Sequence, residues 1–112
     1  MLKVNNITSD AIQRHTLLVD DLEVSIQLRF LPAVEAWFLS VGLNNRLLHG
    51  VKLSASVLHM RGYNYPFDFA VRLTDGSGID PFKLDDFETG RCELYYVTKD
   101  EMEALRGLEV QA

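Results

Sequence analysis

The stretch Leu22-Glu23-Val24-Ser25-Ile26-Gln27-Leu28-Arg29-Phe30 decides the fold class. Each even-numbered residue in it is apolar and each odd-numbered one is polar. Successive side chains of a β-strand point to opposite faces, so this segment has one apolar face and one wet face. A helix would scatter the same apolar residues around its circumference. Just before it, His15 to Val19 reads as a second strand, and Asp20-Asp21 falls where a tight hairpin turns. Leu2 and Val4 suggest a further short strand at the start.

Downstream, Pro32 interrupts the pattern because it has no N–H to continue a ladder. Ala36 to Val41 resumes it with aromatic and β-branched residues, and Asn44-Asn45 tolerates the positive φ of a hairpin into Arg46 to Leu53. Phe67, Phe69, Val71 and Leu73 alternate with Asp68, Ala70 and Arg72, and Asp75-Gly76-Ser77-Gly78 ends that strand as a loop. Arg91 to Val97 supplies the last strand. Ser54 to Arg61 reads as a short helix or a turn. Thr98-Lys99-Asp100-Glu101 has the spacing of a capping box, with Met102, Leu105 and Leu108 as an apolar stripe and Gly107 as the stop. The expectation is a mainly β chain: a small antiparallel β-barrel or β-sandwich of about seven short strands with a short C-terminal helix. Residues 1–97 form the single β domain and residues 98–112 a helical extension.

Composition agrees with that scale. At 112 residues, 47% apolar and 24% charged, the chain holds one domain with one core. It is too apolar to stay disordered, and no apolar run approaches the ~20 residues of a membrane-crossing helix. Its first residues lack a signal-peptide core. A net charge of -5 disfavours general attraction to nucleic acid. That charge is unevenly placed: six acids against seven bases up to Thr74, then ten acids against four bases. Such a gradient marks either a solvated face or a surface that meets a basic partner or repels DNA.

Catalytic chemistry is sparse. His15, His49 and His59 stand apart with no ligand spacing between them, and zinc needs three or four converging donors. Cys92, the single cysteine, excludes an internal disulfide and reads as a buried, inert thiol. An enzyme would need the histidines to meet carboxylates or Cys92 through the fold. The segment Asp75 to Asp80 looks like part of a calcium loop, but neither glycine register works. With Gly76 in the sixth position, the first and twelfth fall on Val71 and Phe82; with Gly78 they fall on Leu73 and Leu84. Asp85, Asp86 and Glu88 form an acidic surface with no catalytic partner in sequence. We therefore expect no enzyme activity, cofactor or metal.

The aromatic residues say more. Trp37-Phe38 and Tyr95-Tyr96 are adjacent pairs, so on a strand one ring of each pair points away from the core. Tyr63 and Tyr65 add to the surplus. Trp37, Phe38, Tyr63, Tyr65, Tyr95 and Tyr96 are the candidate protein-interface residues, since large rings anchor contacts between subunits. A small β-barrel that binds a ligand or peptide on an aromatic face is the alternative.

The order of short motifs resembles the baseplate plug proteins of contractile-tailed bacteriophages and prophages. The shared features are the alternating strand ending Leu28-Arg29-Phe30, then Trp37-Phe38-Leu39, Gly50-Val51-Lys52-Leu53 and Arg61 to Tyr65. Asp75-Gly76-Ser77, Asp80-Pro81, Asp85-Asp86-Phe87 and Leu94-Tyr95-Tyr96-Val97 follow, so the likeness runs from Met1 to about Val97. The resemblance implies a virion structural component of the tail baseplate, assembled in the host cytoplasm. Such a protein sits near the tail axis and joins or closes the end of the tail tube. The implied partners are tail tube, hub and spike proteins and further copies in a ring, with neither specific nucleic-acid binding nor membrane insertion. On this reading Asp85, Asp86 and Glu88 would face the lumen and repel DNA.

Overall fold

The computed structural model describes residues 1–104. The opening alternation becomes β3, Leu22–Leu31, and its hairpin partner β2 covers Ile12–Val19. Val19 pairs with Leu22 across a two-residue loop in which Asp20 and Asp21 both take positive φ, 51° and 64°. Those torsions give the turn a twist that matches its strands, and Asp tolerates them because its side chain is short and polar. β4, Ala36–Leu43, returns antiparallel to β3, and Asn44 leads at φ 55° into β5, Arg46–Lys52. These strands form one sheet in the order β2-β3-β4-β5.

The second sheet has the order β1-β7-β6, built from β1 (Leu2–Lys3), β6 (Phe67–Leu73) and β7 (Cys92–Thr98). The two sheets stack as a sandwich and do not close into a barrel. The outer edge of β6 is taken up by the chain itself instead of by the other sheet: Ser56 N–H donates to Val71 O at 3.3 Å and His59 N–H to Phe69 O at 3.2 Å. The segment Ser54 to Arg61 is therefore a turn-rich strap, not a helix.

One core lies between the sheets. β3 contributes Val24, Ile26, Leu28 and Phe30, and register places Leu43, Val41, Leu39 and Trp37 opposite them. Phe67, Phe69, Leu94 and Tyr96 face them from the second sheet. Burying each such side chain stabilises the fold by about 1.5–3 kcal/mol. Phe67 stacks on Tyr96 at 5.1 Å between centroids, and Phe69 meets Tyr96 edge-on at 5.6 Å. Trp37 packs against Phe30 at 5.4 Å and edge-on against Phe87 at 5.7 Å.

After β7, residues 99–104 are helical. Their start is the expected capping box: Thr98 N–H donates to Glu101 Oε1 at 3.1 Å and Glu101 N–H to Thr98 Oγ1 at 3.4 Å. Met102 is buried beneath it. Leu105, Gly107 and Leu108 lie outside the described residues.

Candidate functional site

Alternation within the strands sorts the six interface candidates. Trp37 is fully buried, and its indole N–H donates to Lys83 O at 3.0 Å. Tyr96 is also interior. Both rings serve the subunit's own core, because each occupies the inward position of its adjacent pair. Phe38 and Tyr95, their neighbours, point outward and are half-buried. Tyr63 is 50% exposed. Tyr65 is half-buried under the Arg46 guanidinium, whose carbon lies 4.1 Å from the ring centroid. Three of the six rings are thus left outside the core, Phe38, Tyr63 and Tyr95, while Tyr65 packs against the core's edge beside Phe67.

The acidic trio separates in the same way. Asp85 and Glu88 are exposed, and Glu88 accepts a hydrogen bond from Ser9 Oγ. Asp86 is not a surface acid: it is 1% exposed. Its Oδ1 accepts from Arg91 Nε at 2.8 Å. Its Oδ2 accepts from an Arg91 terminal nitrogen, Phe82 N–H and Lys83 N–H, each at 2.8 Å. A bidentate guanidinium and two amides satisfy a carboxylate that burial alone would penalise. Burial is the largest single influence on Asp86 and pushes its carboxyl up. The bonds from Arg91, Lys83 and Phe82 together outweigh it and hold the group below the usual carboxylate range.

Arg91 does more than pair with Asp86. Its terminal nitrogens also reach Asp75 Oδ2 at 3.3 Å, Ser77 Oγ at 3.3 Å, Ile79 O at 3.1 Å and Asp80 O at 3.1 Å. One side chain thereby bolts together the whole connection between β6 and β7. Asp75 accepts the Ser77 N–H and hydroxyl, and these bonds lead the influences that lower its carboxyl. The Asp75 to Asp80 loop is turn chemistry organised by an arginine. Sequence reasoning missed this clamp, although a lone arginine after a run of acids was its visible signal.

The remaining chemical groups do not assemble. His15 is half-buried in β2, His49 is exposed on β5 and His59 is buried in the strap. Ser54 N–H donates to His59 Nε2 at 2.8 Å, which leaves the proton on Nδ1 for Phe69 O at 2.7 Å. Burial, the largest influence, pushes the Cys92 thiol up to about 12. Among the described residues, no group of three or more His, Cys, Asp or Glu side chains is disposed to hold a metal. A groove of about 740 Å³ opens on the outer face of the β1-β7-β6 sheet, lined in part by Ala70, Arg72 and Tyr95.

A family model described as "Cyanophage baseplate Pam3 plug gp18" matches residues 1–100. No curated protein matches the chain.

Proposed function

The chain belongs to the phage baseplate plug family, and on that premise we propose that it sits near the tail axis and joins or closes the end of the tail tube. It is a structural protein of the tail baseplate. The family match over residues 1–100 carries this reading. On it, several copies surround the axis, assembled in the host cytoplasm, and contact tube, hub and spike proteins.

The form of the subunit suits that task. A sandwich has free sheet edges, and β2 is a long one with Leu18 77% exposed. Edges, outward rings such as Phe38, Tyr63 and Tyr95, and the half-buried Tyr65 are where neighbouring subunits add strands or bury area. The role asks for no chemistry from the histidines or Cys92, and we read the protein as non-catalytic.

Electron microscopy of intact tails, with this chain tagged, tests the proposal. Density for it at the distal end of the tube, on or around the axis, is the expected result. Density at the baseplate periphery, or tails complete without the chain, overturns it. The groove beside Tyr95 supports the competing reading of a ligand- or peptide-binding module. Saturable peptide binding by a monomer that never enters tails favours that alternative.

A further inference from the structure

We propose that the outer face of the β2-β3-β4-β5 sheet docks the acidic β6–β7 connection of a second copy of this chain. The inference deepens the multi-copy reading above and rests on it. The odd-numbered residues of β3 face away from the core, and register aligns their neighbours. Arg14 lies opposite Gln27, Phe38 opposite Arg29, and Lys52 opposite Phe38. Arg29 and Lys52 therefore flank an outward ring on the strand between them, at the ~4.8 Å strand spacing on either side. None of Arg14, Arg29 and Lys52 has a carboxylate within ion-pair distance among the described residues. Glu23 is the acid on the outward side of β3. In a chain of net charge -5, this cationic face is the exception. A trough of about 280 Å³ runs across it, lined by Arg29, Leu31, Phe38, Ser40 and His49 among others. It accepts one or two projecting side chains.

The complement is on the same molecule. The β6–β7 connection presents Leu84, 40% exposed, next to exposed Asp85 and Glu88. An apolar side chain with two carboxylates matches the Phe38 trough, which Arg29 lines and beside which Lys52 stands on the next strand. The knob is rigid before it binds, because Arg91 and Asp86 hold the connection in place, so docking costs little ordering entropy. Within one subunit the two patches form no ion pair. They are different surfaces, so each contact leaves one of each kind free and further copies add, closing a ring where the rotation between copies allows it. Asp85 and Glu88 then face a neighbour instead of the tube lumen.

Sedimentation of the purified chain tests this. We expect self-association in ~50 mM NaCl whose dissociation constant rises about tenfold or more by ~500 mM, as for contacts between complementary charges. Arg29→Glu with Lys52→Glu abolishes it, and so does Asp85→Lys with Glu88→Lys. These positions are exposed, and circular dichroism checks that both variants remain folded. Mixing the two variants restores association. A chain that is monomeric in low salt overturns the proposal. Association that survives both swaps, or a mixture that fails to recover, does so too. Incorporation into tails is scored separately: a chain that enters tails yet is insensitive to both swaps overturns only this inference. In that case the cationic face is left to an acidic segment of another baseplate protein.

Discussion

At the scale of single residues, the buried Asp86–Arg91 pair gathers four hydrogen bonds onto one carboxylate. Asp86→Ala leaves the guanidinium without its main partner and strands the Phe82 and Lys83 amides. Breaking a buried pair on one side costs about 3–5 kcal/mol. Urea unfolding should show a loss of that order, against little change for Asp85→Ala on the exposed side. Asp86→Asn removes the titrating charge and turns one accepting oxygen into an NH2 that faces N–H donors, so it lowers stability at every pH while removing this carboxyl's pH dependence. Because the folded carboxyl is held low, its contribution is present above the ordinary carboxylate value, ~4, and fades as pH falls through the folded value. The wild type should lose stability steeply below that point, and Asp86→Asn less steeply. The slope left in the variant belongs to Asp75, Glu93 and Glu101, which shift in the same direction. Cys92 gives a simpler check. With its thiol pushed up to about 12, it should react with a thiol reagent at pH 8 roughly a thousandfold more slowly than an exposed cysteine, and normally once unfolded. The inert thiol was legible from a cysteine within an apolar strand. Asp86 was not, because sequence shows three neighbouring acids and gives no sign of which one an arginine five residues on will draw inside.

At the scale of elements, the strands were legible because alternation is local. Val24, Ile26, Leu28 and Phe30 announce β3 without help from any other segment. The Asp20-Asp21 turn was legible for the same reason, and it is improvable. Both residues hold left-handed torsions, which Asn and Gly adopt with less strain than Asp. The double substitution Asp20→Asn and Asp21→Gly should raise stability by about 0.5–1 kcal/mol in urea unfolding, and a loss would mean that the carboxylates have partners in the hairpin. The strap over β6 was not legible. Ser54 to Arg61 lacks a period, and what fixes it is a histidine reaching both Ser54 and Phe69. His59→Ala should cost about 1–3 kcal/mol. Hydrogen exchange at the amides of positions 56 and 59 should quicken, because both donate from the strap to β6.

For the molecule as a whole, the apolar excess resolves into two sheets and one long connection that share a single tryptophan. Trp37 reaches Phe30 within its own sheet, and from the β6–β7 connection it meets Phe87 and the Lys83 carbonyl. Pairings of this kind join residues far apart in sequence, which is why alternation named the core strands but could not say that a barrel would stay open. It also could not bring Arg29, Phe38 and Lys52 onto one face, since that requires the register of three strands. The same long-range contacts make a claim about cooperativity. If the acidic connection were an independent appendage, it would detach first, and Trp37 would report water before the strands melted. With its indole hydrogen-bonded to that connection, the ring and the strands should unfold together. Tryptophan emission and far-ultraviolet circular dichroism should therefore trace the same urea transition. Under Asp86→Ala both should move to lower urea by the same amount. An emission change that precedes the loss of strand signal would show that the connection is only loosely coupled to the sandwich.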